Sequence, residues 1–398
     1  MLKISNRAND ITASPIRKFL PLLESAQKRG IKIYKLNVGD PDIKPPAVFF
    51  NQIRKNSGGN LGYAPSPGIE SHTKAWIKFF SNFKIKFNKK NIIPTVGASE
   101  AIIFAMAAVA DPGDEIIVFE PLYASYKNFA AMLNIKLVPI RLRMENNFNL
   151  PEIAQIEKRI TKKTKAIAII NPNNPTGTMF APEKLKQLGR LANKKNIFII
   201  SDETYREIIF SGQPISIFNI SGMKKNGILV DSASKRFSMP GARVGCIASY
   251  NEDIMAAILR MAQARLSVPS LEQYGLVPIL NHPHAYIKKI KAEYKRRRDV
   301  VYNSLKSMPG VECCQPQAAF YIIARLRLKN AEDLVRFMLN DFNYKGQTVM
   351  MTPAEDFYIT AGMGRNEIRL AYVLKTSELK KAMNVLKTGL DQYIRKNY

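Results

Sequence analysis

KAIAIINPNNPTG (Lys165–Gly177) passes from an apolar, β-branched run straight into a turn of asparagine, proline and glycine. NIFIISDETY (Asn196–Tyr205) and GILVDSASK (Gly227–Lys235) repeat that design. Such apolar runs suit strands buried on both faces, as in parallel sheets covered by helices. The intervening segments Ser99–Ala110, Pro182–Lys195 and Asn251–Ala264 carry helical apolar spacing and good helix formers. With further strands at Glu115–Phe119, after the turn DPGD, and at Val244–Ser249, residues 90–250 read as βαβ units. The expected fold is α/β, with a mostly parallel central sheet and helices on both faces.

Outward from this region the pattern changes. After residue 285 a long charged helix precedes short strands such as Phe320–Leu326, which predicts a smaller α+β domain. The segment before residue 45 shows no sheet pattern of its own. The expected division is 1–45 joining the small domain, 46–285 as the large domain and 286–398 as the small one. A chain of 398 residues suits two or three domains of about 150 residues.

A composition of 46% hydrophobic and 23% charged residues excludes a disordered, collagen-like or disulfide-scaffold chain. The three cysteines include the adjacent pair Cys313 and Cys314, which suits neither a disulfide framework nor a zinc pattern. The N-terminus MLKISNRANDI lacks a signal-peptide core, and the apolar stretch Ile102–Ala110 is too short to cross a bilayer. These features predict a cytoplasmic protein with no membrane partner. His72, His282 and His284 have no matching Cys/His pair, so no metal site is expected.

The charge is unusual: 60 Lys and Arg against 32 Asp and Glu give +28 and raise nucleic acid as a partner. The densest run, KKIKAEYKRRR (Lys288–Arg298), has helical spacing that leaves Ile287, Ile290 and Tyr294 as an inward stripe beneath a solvated basic face. No recognisable nucleic-acid-binding motif accompanies it, so no specific nucleic acid is expected.

Ligands of open parallel sheets sit beyond the carboxyl ends of the strands. Three of these ends carry polar turns: NPNNPTG, DETY (Asp202–Tyr205) and SASKRFSMPGAR (Ser232–Arg243). TVGASEAI (Thr95–Ile102) places a glycine turn before a helix, where the Ala98 and Ser99 amides and the positive helix terminus can hold a phosphate. Arg243 and Ser232 complete a dianion site, and Lys235 stands where a phosphate-bearing carbonyl cofactor needs an amine.

The order of motifs resembles the class I/II aminotransferases, fold-type-I enzymes of the aspartate/aromatic aminotransferase kind that use pyridoxal 5′-phosphate. The likeness runs from SPIRKF (Ser14–Phe19) through LNVGDPD (Leu36–Asp42), YAPSPG (Tyr63–Gly68), GASEA (Gly97–Ala101) and EPLYASY (Glu120–Tyr126). It continues through the three strand-end turns, PQAAFY (Pro316–Tyr321) and NEIRLAYV (Asn366–Val373).

The resemblance implies a ping-pong exchange of an α-amino group between an L-amino acid and a 2-oxo acid, with 2-oxoglutarate and glutamate as one pair and aspartate or an aromatic amino acid in the other. Lys235 would hold the cofactor as a Schiff base and move the substrate Cα proton, and Asp202 would face the pyridine nitrogen. Asn174 and Tyr205 would bind the phenolic oxygen, and Tyr123 would stack on the ring. Gly97, Ala98, Ser99, Ser232 and Arg243 would hold the phosphate, with Tyr63 reaching the same group in the neighbouring subunit of a homodimer. Arg369 would grip the substrate carboxylate, with Asn174 and the Gly39 backbone beside it.

Ala98 and Ala318 stand where the family often has glycine. Ser99 stands where relatives specialised for acidic substrates carry a lysine. A β-lyase or α-oxoamine synthase of the same fold is the alternative chemistry, and a basic nucleic-acid-binding protein on a transferase-like fold is the alternative class.

Overall fold

The computed structural model describes residues 2–14 and 17–397; Met1, Pro15, Ile16 and Tyr398, and with them two residues of the SPIRKF stretch, lie outside the described residues. Thirteen strands are present among the described residues. They are β1 (Lys32–Lys35), β2 (Ile92–Thr95), β3 (Glu115–Glu120), β4 (Lys136–Arg141), β5 (Thr164–Ile170), β6 (Phe198–Asp202), β7 (Gly227–Ser232), β8 (Gly245–Ala248), β9 (Val311–Cys313), β10 (Tyr321–Leu326), β11 (Gln347–Met350), β12 (Thr352–Pro353) and β13 (Glu367–Ala371).

The central sheet has seven strands in the order β2-β8-β7-β6-β5-β3-β4. Its β7-β6-β5-β3-β4 stretch is parallel, while β8 runs antiparallel to both β7 and β2. Successive side chains in a strand point to opposite faces. Ile117, Ile167, Ile199 and Leu229 accordingly enter one buried cluster, and Ile116, Ala166, Ile200 and Ile228 another. Leu185, Leu188 and Leu191 of helix Pro182–Lys195 cover the first face. Ala101, Ile102, Ala105 and Met106 of helix Gly97–Val109 cover the second. Burying one such leucine or isoleucine contributes roughly 1.5–3 kcal/mol, so the two layers fix the sheet between them.

A second, antiparallel sheet has the order β12-β13-β10-β9. Within the first 45 residues, β1 forms a parallel pair with β11, 315 positions downstream at Lys32 and Gln347. A strand of four residues with lysines at both ends has no readable alternation. The 23-residue helix His284–Lys306 buries Ile290 and Tyr294 as the spacing requires. Its basic face is only partly solvated. Arg297 and Arg298 are buried, Arg297 against Asp42 at 2.6 Å and Glu293 at 2.8 Å, and Arg298 against Asp299 at 2.6 Å and the Pro316 carbonyl at 2.7 Å.

Candidate active site

Asp202 ends β6 between Ile170 of β5 and Val230 of β7, so all three polar turns leave the sheet side by side. The Asn171 amide donates to the Asp202 carbonyl at 2.9 Å, which ties NPNNPTG to the neighbouring turn. A cleft of about 490 Å³ opens above them. It is lined by Gly39, Ala98, Ser99, Tyr123, Asn174, Asp202, Tyr205, Ser232, Lys235, Arg243 and Arg369.

Asp202 is buried, and its Oδ1 accepts from the Thr204 hydroxyl at 2.6 Å and amide at 3.1 Å. Burial raises its pKa to about 6, with the charges of Asp231 and Glu203 adding to the rise and the Thr204 hydrogen bonds opposing it. Lys235 sits in the short turn Ala233–Arg236, where its Nζ donates to the Gly39 carbonyl at 2.9 Å. Burial lowers its pKa to about 8; Arg369 and Arg243 push the same way and Asp40 opposes them. The hydroxyl of Tyr205 is 3.0 Å from that of Tyr321, and burial holds both phenols above their ordinary range.

One end of the cleft is built for an anion. Arg243 donates through Nη1 to the Pro240 carbonyl and through Nη2 to the Val96 carbonyl, both at 3.1 Å. Ala98 and Ser99 open helix Gly97–Val109, and the Ser232 and Ser234 hydroxyls lie 2.8 Å apart. Gly97 stands behind this group rather than on the cleft wall; its φ is +72° and a β-carbon there would approach Arg243.

At the other end, Arg369 of β13 is fully buried between the rings of Tyr321, 4.6 Å from the centroid, and Phe357, at 4.9 Å. It donates through Nη2 to the Asn37 carbonyl and through Nη1 to Asn174 Oδ1 at 3.4 Å, leaving Nε without a partner among the described residues. Burial lowers its pKa, and among the described residues no carboxylate pairs with this cation. Gly39 passes so close that a β-carbon would overlap the Tyr321 hydroxyl.

Tyr63 is not brought to this cleft: its side chain is 84% exposed. Ala318 is fully buried and is not among the residues that line the cleft. Arg17, Thr204, Ser234 and Tyr321 are among the lining residues that sequence reasoning missed. Thr204 and Ser234 lie within the quoted DETY and SASK turns, whereas Arg17 and Tyr321 come from segments far along the chain. A larger cavity, about 930 Å³, is lined by Gly310, Arg327 and Arg395 and contains none of the expected site residues. No helix among the described residues is long and apolar enough to cross a membrane.

The chain is 30% identical to aspartate aminotransferase from Sulfolobus acidocaldarius over 383 residues, covering 94% of each chain. It is 28% identical to aspartate aminotransferase from Bacillus subtilis, with 98% of this chain and 100% of the relative covered. In structure it is similar to alanine aminotransferase from Pyrococcus furiosus, with a TM-score of 0.90 at 29% identity over 98% of this chain and 100% of the other. Because residues 31–386 match the aminotransferase class I and II family, the chain belongs to that family and is a pyridoxal 5′-phosphate-dependent aminotransferase.

Proposed function

We propose that the cleft exchanges an α-amino group between a dicarboxylic L-amino acid, aspartate or glutamate, and a 2-oxo acid, with 2-oxoglutarate and glutamate as one pair. The residues suit the cofactor. Asp202 Oδ2 accepts no hydrogen bond among the described residues, and the Gly97 turn leaves room for Arg243. When bound, the cofactor supplies an aldehyde for covalent attachment and a ring that accepts electrons from the substrate.

Ser232, Arg243 and the Ala98 and Ser99 amides would hold the phosphate. Asp202 would face the pyridine nitrogen, and a positive charge there would favour the ionised carboxyl that burial opposes. Asn174 and Tyr205 would donate to the phenolic oxygen, and Tyr123 would pack against the ring. Lys235 Nζ, with its pKa lowered to about 8, would hold the cofactor through its neutral amine and, once displaced by the substrate amine, would take the proton from substrate Cα. Arg369 grips the α-carboxylate as a fork, with Asn174 and the Gly39 backbone beside it.

The observation that carries this reading is the buried Arg369, whose Nε has no partner among the described residues, in a cleft shared with Lys235 and Asp202. Arg17 supports the dicarboxylic class: it is a further cation lining the cleft and makes no ion pair among the described residues, which offers a second carboxylate a partner where Ser99 offers none. The names of the relatives favour amino transfer over β-lyase and α-oxoamine synthase chemistry. The exposed Tyr63 supports a homodimer in which it reaches the neighbouring phosphate.

Three unpaired cysteines support a reducing cytoplasmic setting. The third hydrophobic cluster, drawn mostly from residues 19–36 and 290–393, supports the division at 45 and 285.

Mixing the cofactor-loaded protein with one amino acid and no acceptor tests the reaction. Aspartate or glutamate should bleach the band of the lysine-linked cofactor and yield one equivalent of 2-oxo acid. Continuous release of ammonia and pyruvate without an acceptor would contradict it.

A further inference from the structure

The DETY and SASK turns, which carry proposed cofactor ligands, also carry buried charges one residue away from those ligands. Glu203 follows Asp202, Arg206 follows Tyr205, Asp231 precedes Ser232 and Arg236 follows Lys235. Behind the cleft these charges meet. Arg206 Nη2 is 2.7 Å from Glu203 and 3.3 Å from Asp231. Arg236 pairs with Asp231 through Nη2 and with Glu207 at 3.0 Å through Nη1. Asp231 Oδ1 also accepts from the Ser232 amide at 2.7 Å, and Glu203 Oε1 accepts from Ser201, Ser216 and Ile217.

We propose that Glu203, Arg206, Glu207, Asp231 and Arg236 form a positioning frame that fixes Asp202 and Lys235 against each other and sets the electrostatic field at Asp202. None of the five lines the cleft. Among the described residues Arg206 is held without an aligned hydrogen bond, its guanidinium 5.0 Å from the Phe80 ring centroid and 4.9 Å from that of Phe83. Arg236 lies 4.9 Å from Phe79. The contacts are charge on charge and charge on ring in a dry interior, where a change of one charge is felt over several ångströms.

The three carboxylates outnumber the two guanidiniums, so the ionised frame is net negative. Asp202 is faced by Glu203 and Thr204 from its own turn, by Asp231 from β7, by Tyr126 from helix Ser125–Leu133 and by Tyr205. This inference rests on the roles proposed above for Asp202 and Lys235.

The test is a pH titration of the visible band in the full-length, cofactor-loaded protein, with thermal stability measured in parallel. Arg206→Met removes a positive charge and should raise the midpoint by roughly half to one pH unit; Glu203→Gln removes a negative charge and should lower it by a similar amount. Arg206→Lys should return the midpoint toward wild type. If Arg206→Met does not fold, the paired Arg206→Met/Glu203→Gln variant, which loses one charge of each sign, should titrate near the wild-type midpoint. Midpoints that move in the same direction in the two single variants, that do not move while stability falls, or that move far in the paired variant overturn the frame alone. A wild-type protein with no titrating band overturns the reading on which the frame rests.

Discussion

A β-carbon placed on Gly97 would lie 2.7 Å from Arg243 Nη2, inside any permitted contact. The glycine thus sets the position of the cation at the phosphate end, and its φ of +72° adds a second reason for the absence of a side chain. Gly97→Ala should weaken cofactor binding by roughly 10–100-fold, measured by quenching of protein fluorescence, with a smaller effect on turnover at saturating cofactor. An unchanged dissociation constant would remove Arg243 from the phosphate site.

Asp202 carries a cost in the cofactor-free protein. Its pKa rises from 3.8 to about 6 through burial, so the native state binds its proton more tightly than the unfolded chain. Stability from this group is therefore present at low pH and lost as pH rises from about 4 through about 6, by about 3 kcal/mol. Asp202→Asn should make the cofactor-free protein more stable at pH 7.5 by about 1–3 kcal/mol in denaturant unfolding, while turnover falls roughly 10³-fold. A destabilised variant that keeps wild-type turnover would refute both parts.

The Lys235 amine must be neutral to attack an aldehyde. With a pKa lowered to about 8, it is largely protonated below that pH and available above it. Covalent uptake of the cofactor by the cofactor-free protein should accelerate about tenfold for each pH unit below 8 and level off above it, followed by stopped-flow absorbance. A rate still climbing steeply at pH 10 would show an ordinary lysine.

Arg17 is the cation that distinguishes acidic from neutral substrates in this account. Arg17→Ala should lower kcat/KM for aspartate and glutamate by roughly tenfold or more and leave alanine and phenylalanine within about threefold. Because the side chain is exposed, the loss should be largest at low salt. Equal losses for all four amino acids would point to a general role at the mouth of the cleft, and preference for phenylalanine in the wild type would favour the aromatic class.

The interior strands were readable because burial on both faces writes them as unbroken apolar runs, and β5, β6 and β7 carry the turns that define the site. The edge strands were not. β2 contains Pro94 and β4 contains Pro139, residues that edge strands tolerate and that hide the strand signal. Motifs found most of the cleft because its residues lie within a few positions of strand ends. Arg17 and Tyr321 were invisible as lining residues because their place is set by packing between distant segments. The same holds for Arg297, read as a solvated charge but paired with Asp42 from 255 positions away.

The central claim is that Lys235 is the covalent anchor of the cleft. Reducing the cofactor-loaded protein with borohydride, digesting it and mapping the modified peptide by mass spectrometry should find the cofactor on Lys235, in the peptide that contains SASK, and Lys235→Ala should show no labelled peptide and no amino transfer. A label on any other lysine, or wild-type turnover in Lys235→Ala, would contradict the account.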